Sequence, residues 1–234
     1  MEEIRQILAG LDWSPLFISI KTGIAATIVS FFLGIWAARK VLKAKTGLRA
    51  VLDGVLTLPL VLPPTVAGFF LLLIFSTRRT VGSYLYTTFD IKIVQSWAGC
   101  VIAATVIAFP LMYRNARAAF EQVDVNYIYA GRTLGLSEWT IFRKVVIPVA
   151  GPGIASGTIL TFARALGEYG ATSMLAGNIL GKTRTMAVAI AAEVSAQNYD
   201  VAGFWVIVLV AIAFLFIFAI NIITMHGISK IQRW

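Results

Sequence analysis

The stretch from Tyr127 to Gly170, YIYAGRTLGLSEWTIFRKVVIPVAGPGIASGTILTFARALGEYG, constrains this chain more than any other. Between Tyr127 and Lys144, apolar Tyr127, Ala130, Leu134, Ile141 and Phe142 recur at helical spacing, with Arg132, Glu138, Arg143 and Lys144 between them. Val145 to Leu166 is then apolar or small throughout, without a charge until Arg164. At ~1.5 Å per residue, about twenty such residues cover the ~30 Å hydrocarbon core of a bilayer. The pattern predicts an amphipathic helix within 127–144 that leads directly into a spanning helix. A chain needs such an element when something in water must act on something in lipid.

Composition extends this to the whole chain. It is 59% hydrophobic and 13% charged, with a mean hydropathy of +0.83, against roughly 25% charged in a soluble domain. The expected class is an all-α integral membrane protein. Spans are expected at about 16–38, 51–75, 93–113, 145–166 and 201–225 within one domain, 16–234. Residues 1–15, with Ile4, Ile7, Leu8, Leu11 and Trp13, read as a helix lying on the bilayer. The acidic start MEEIRQILAG reads as no signal peptide. Met186 to Ala196 is apolar but too short to span, so five spans are expected and six are the alternative. Pro59, Pro63 and Pro64 interrupt the second segment; irregular backbone is tolerated in a membrane where it lines a cavity, which makes Pro63 a pathway candidate.

The net charge of +9 sits in loops between apolar segments, the pattern of membrane orientation and not of nucleic-acid binding. Twelve Lys and Arg fall in loops one-two and three-four and the C-terminal tail, against seven in the N-terminal region and the other loops. The excess predicts an N-terminus outside and a C-terminus in the cytoplasm, and five spans satisfy that parity. The helix within 127–144 then faces the cytoplasm.

Few residues point to chemistry. Gly181-Lys182-Thr183 follows Ala176 in a relaxed phosphate-loop spacing, but without a strand before it or a Mg²⁺-binding carboxylate. No paired carboxylates, metal-ligand cluster or activated nucleophile stands out, so no enzyme and no metal are expected. Arg164 and Glu168 are four apart at the outer end of the fourth span, an ion pair that anchors the helix or, alternatively, contacts an entering anion. No span carries a charge at mid-depth, which argues against a proton-coupled carrier. Polar candidates for a pathway are Thr57, Thr65, Thr105, Thr158, Thr161 and Asn221, although such side chains commonly bond their own helix. Gly153, Ser156 and Gly157 form a small-residue face suited to helix packing.

One resemblance adds to this reading. Tyr129-Ala130-Gly131, then Gly135, then Val145-Val146-Ile147-Pro148 resembles the cytoplasmic Glu-Ala-Ala motif of ATP-binding-cassette importer permeases, with Tyr129 in place of Glu and Gly131 in place of Ala. The run from Phe162-Ala163-Arg164-Ala165-Leu166-Gly167-Glu168 through Gly177-Asn178 to Gly181-Lys182-Thr183-Arg184-Thr185 is similar to permeases of molybdate, tungstate and sulfate importers, most of all the molybdate/tungstate group. The likeness covers about Thr57 to the C-terminus and is weakest before Ala50. It implies the type I importer permease fold, with five to six transmembrane helices and a cytoplasmic coupling helix. It implies a homodimer in the inner membrane, surrounded by lipid, with two ATPase subunits beneath and an extracytoplasmic oxyanion-binding protein above. ATP and Mg²⁺ would sit on the ATPase, with no cofactor on this chain. Tyr129, Ala130, Gly131, Leu134, Gly135, Leu136 and Ser137 would form the ATPase contact, Gly135 permitting close backbone approach. The alternatives are import of sulfate or another small solute, and a secondary carrier or channel working without an ATPase.

Overall fold

The computed structural model describes residues 11–231, the side chains of residues 220, 221 and 223–231 excepted. Among these residues every regular element is helical. Helix α1 (Ser14–Leu42) has Pro15 in its first turn, where a missing N–H is harmless, and runs past the expected end at Ala38 because Arg39 and Lys40 suit a last turn. Residues 11–13 are not helical, and the remainder of the expected 1–15 surface helix lies outside the described residues.

The second expected span is not continuous. Helices α2 (Thr46–Val61) and α3 (Pro64–Phe75) meet at 110°. Each of the two adjacent prolines disfavours helical backbone in the residue before it, and here Leu62 and Pro63 are extended, with ψ of 139° and 133°. Pro59 is accommodated inside α2. After the short α4 (Thr80–Phe89), α5 (Trp97–Glu121) is capped by Ser96, whose hydroxyl accepts the Gly99 N–H at 3.2 Å. Arg114 and Arg117 therefore lie within a helix and not in a loop after Tyr113. No proline or glycine stops the chain there, and ion pairs satisfy the extension.

The remaining helices are α6 (Val125–Thr133), α7 (Glu138–Val149), α8 (Gly151–Leu166), α9 (Gly170–Leu175), α10 (Met186–Ser195) and α11 (Tyr199–Ile231). Helix α7 contains one π-helical turn, Phe142–Val146, and meets α8 at 70°. By length and composition, Ser14–Leu42, Trp97–Glu121 and Tyr199–Ala219 can each cross a membrane, and counting each bent pair as one span gives five.

The core is where α1, α5 and α8 meet, and small residues make it. Ala26, Ala104, Ala108 and Ala165 cluster between the three helices. A Cβ on Gly34 would stand 2.8 Å from Met112 Cγ, one on Gly153 2.6 Å from Ala119 Cβ, and one on Gly157 2.7 Å from Asn115 Cβ. Backbones in lipid associate by such close approach, since hydrocarbon offers no hydrophobic drive. Ser156, on the same helix, is exposed. At the other end of the molecule α9 packs on α3, where a Cβ on Gly68 would stand 2.7 Å from Ala171 Cα.

Candidate functional site

The segment 125–149 is a helix, a turn and a second helix, not the continuous helix that its spacing predicts. Gly135 makes the turn. It has φ +72°, its N–H donates to Arg132 O at 2.9 Å, and the Leu136 N–H donates to Gly131 O at 3.0 Å, the paired bonds that close a helix on a left-handed glycine. A Cβ on Gly135 would meet nothing within 4 Å, so within this chain the glycine serves backbone conformation and not close approach. Ser137 then caps α7, its hydroxyl accepting the Thr140 N–H at 3.2 Å.

This turn sorts the expected contact residues. Tyr129 and Leu134 are 54% and 77% exposed, and Ala130, Leu136 and Ser137 are also exposed, a continuous apolar and small surface at the tip. Gly131 points the other way. It is buried, and a Cβ there would stand 2.9 Å from Ile141 Cγ1, so it lets α6 close on α7. Ile141, expected to share a face with Tyr127, Ala130 and Leu134, is likewise buried, because the turn folds it inward. Arg132 and Glu138 pair at 2.7 Å across the turn, and the Glu138 carboxylate holds the Arg132 guanidinium above its ordinary pKa. Arg39 lies 4.0 Å from the Phe142 ring centre and 5.0 Å from that of Trp139, fastening the end of α1 to α7. Ile141 and Val146 join the same buried cluster as Ala38, Met112 and Phe120. The exposed tip is thus mounted rigidly on the core.

A second polar site lies between α2 and α5. Asp53 accepts a hydrogen bond from Tyr113 and pairs with Arg117, and Glu121 pairs with Arg49 and, at 3.3 Å, with Arg117 Nε. These groups, with Thr57 and Arg114, line a cavity of about 420 Å³.

A family model described as "Binding-protein-dependent transport system inner membrane component" matches residues 30–229. The chain belongs to that family. The match begins well before Thr57, so the family relationship reaches back into α1. The permease is 44% identical over 180 residues to the molybdenum transport system permease protein ModB of Escherichia coli K12, covering 77% of this chain and 79% of that one. It is 38% identical over 215 residues to the putative molybdenum transport system permease protein YvgM of Bacillus subtilis 168, covering 92% and 95%. Its fold matches a crystal structure of a bacterial ABC transporter involved in import of the polysaccharide alginate, with TM-score 0.73 at 13% identity over 97% of this chain and 83% of that one. The permease is accordingly a multi-pass inner-membrane protein with the type I importer fold.

Most of the expected pathway hydroxyls are committed within the permease itself. Thr57 donates to Asp53 O at 2.6 Å, Thr158 to Ile154 O at 2.9 Å and the buried Thr161 to Gly157 O at 2.7 Å, each within its own helix. The buried Thr105 hydroxyl has no hydrogen-bond partner among the described residues, and Thr65 and Pro63 are exposed at the α2–α3 break. The Asn221 side chain lies outside the described residues. Arg164 Nη1 and Glu168 Oε2 pair at 2.7 Å, with the Glu168 side chain 1% exposed, and Glu168 Oε1 accepts the Ala171 N–H at 2.7 Å. Glu168 thereby ties α8 to the start of α9. In the 177–185 loop the Thr183 side chain is fully buried and its hydroxyl accepts the Ile179 N–H at 3.0 Å, a bond internal to the loop. Sequence reading missed the Asp53–Arg117–Glu121–Arg49 site. Its signal was present: Asp53 is the one carboxylate inside the second apolar segment, and it required a cation somewhere else in the chain.

Proposed function

We propose that this permease is the membrane-spanning subunit of an ATP-driven importer of molybdate or tungstate. The observation that carries the reading is 38–44% identity to molybdenum permeases over most of their length. Two copies form the pathway. A binding protein delivers the oxyanion from outside, and ATP is hydrolysed on a separate subunit that docks against the tip formed by Tyr129, Ala130, Leu134, Gly135 and Leu136. Exposed Ser137 caps α7 beside that tip, and buried Gly131 shapes it from within. The N-terminus lies outside and the C-terminus in the cytoplasm, on the strength of the Lys and Arg distribution. An apolar tip of exposed side chains on a rigid mount fits a groove-seated lever. The chain performs no bond chemistry: it converts ATPase closure into exchange between two arrangements of its helices.

The test is uptake into proteoliposomes holding the permease, its ATPase and its binding protein. Molybdate should enter only with ATP on the ATPase side, and Leu134→Asp at the tip should abolish both ATPase co-purification and uptake. Uptake independent of ATP would identify a secondary carrier and sink the reading, and uptake of sulfate in place of molybdate would reassign the substrate.

A further inference from the structure

We propose that the cavity between α2 and α5 is a transit site for a tetrahedral oxyanion dianion, recognised by Arg114 with Arg117. The proposal rests on the reading of the chain as an oxyanion permease. Arg114 and Arg117 are three apart on α5, hence neighbours on one face, and both line the cavity. Their circumstances differ. Arg117 is committed to Asp53 and Glu121, whereas Arg114 makes no hydrogen bond or ion pair among the described residues. The two carboxylates of the cavity, Asp53 and Glu121, are answered by Arg117, Arg49 and the Tyr113 hydroxyl, so the cation left over is Arg114. Its planar fork of N–H donors matches two oxygens of a tetrahedral oxyanion.

The same carboxylates keep the site weak. A dianion beside Arg114 also meets Asp53 and Glu121, which repel it, and a pathway site must release what it receives. An arriving dianion also competes with Asp53 for Arg117. That competition loosens the contact holding α2 to α5, which couples occupancy to the position of α2. A phospholipid headgroup offers the same phosphate-like chemistry, so the test separates it from a free oxyanion.

The measurement uses the complete transporter in phosphatidylcholine vesicles, with Ala118→Cys, in the same cavity, on a Cys100→Ala background. Tungstate or sulfate at millimolar concentration should slow modification by a cationic thiol reagent several-fold, with no slowing by chloride at equal ionic strength. Adding Arg114→Gln should remove the protection and Arg114→Lys should restore part of it. With cysteine-free protein, Arg114→Gln should lower uptake about tenfold, the scale of one charge-assisted hydrogen bond. Absence of oxyanion protection, or protection that survives Arg114→Gln, overturns the proposal. So does protection conferred only by anionic lipid, which would assign Arg114 to a headgroup. Protection by sulfate alone, in a complex that transports sulfate and not molybdate, would sustain the site while overturning the substrate assigned above.

Discussion

Helix α2 and the α1–α5–α8 core are held by opposite means. The core helices approach until glycine and alanine backbones touch, and nothing but Hα or a methyl group fits between them. Helix α2 has no fully buried residue: half-buried Leu52 and Leu56 rest on the core, and Asp53 and Arg49 fasten it to α5 through Tyr113, Arg117 and Glu121. Its other face, with Val51, Val55 and Leu58, is more than half exposed. Close packing has one good arrangement, and displacement loses it outright. Ion pairs and hydrogen bonds can be exchanged for other partners of the same kind at little net cost. The contrast is between a core with one tight arrangement and a helix held by exchangeable polar pairs, joined to α3 only through the extended Leu62–Pro63 break.

The strongest way to break this contrast is Gly34→Val. The new side chain meets Met112 and, at 3.1 Å, the Tyr113 backbone nitrogen, which cannot yield without moving α5. Overpacking of this kind costs about 2–3 kcal/mol, read as a lowered melting temperature in detergent. An unchanged melting temperature would mean that α1 and α5 separate easily and that the core is no more rigid than α2. Asp53→Ala is the counterpart in α2. The Asp53 and Arg117 side chains are 24% and 23% exposed, so water replaces part of what is lost, and about 1 kcal/mol is expected. Amide hydrogen exchange should quicken over 46–61 while 14–42 and 97–121 keep their protection. Equal quickening in all three would erase the distinction.

The smallest effect sharpens the picture at the N-terminal end of α1. Both Asp12 carboxylate oxygens accept from Ser14, at 2.9 Å from its N–H and 2.6 Å from its hydroxyl, and the Ser14 hydroxyl oxygen accepts the Gly181 N–H at 3.3 Å. The hydrogen bonds from Ser14 hold the Asp12 carboxyl below its ordinary pKa. A lowered carboxylate contributes its stability in full above the ordinary value of about 4 and loses it as pH falls through the lowered one. Because Asp12 is exposed, the contribution is a few tenths of a kcal/mol. Asp12→Asn should remove that acid-side slope from the melting temperature and leave the neutral value nearly unchanged. A large neutral-pH loss would show that the loop depends on this contact more than the geometry implies.

Local pattern made part of this legible. Apolar runs announced the long helices, Pro63-Pro64 announced an irregular second segment, and the spacing around Tyr129 to Leu136 announced an element that faces water. Pattern could not supply what depends on pairing across the chain. Whether α5 stops at Tyr113 or continues to Glu121 is decided by Asp53 and Arg49, which lie some sixty residues and more away and satisfy its polar extension. The resemblance placed Gly131 at the ATPase contact, and spacing grouped Ile141 with Tyr127, Ala130 and Leu134. The left-handed backbone at Gly135 reverses the chain and turns both inward. Spacing paired Glu168 with Arg164, as the structure has it, yet its other oxygen accepts the Ala171 N–H at the start of α9, a partner that no i,i+4 rule reveals.

The 70° angle between α7 and α8 makes the tip and the fourth span a bell crank. Such a part does not pass a thrust along its own line; it turns the stroke through a corner. If the proposed ATPase pushes along Glu138–Val149, the thrust reaches Gly151–Leu166 mainly as a sideways swing and only slightly as an axial slide. Since Gly153 and Gly157 seat α8 against α5, the swing must carry α5 with it. On the proposed reading, a stroke at the tip would therefore widen or narrow the gap between whole helices, in the plane of the membrane.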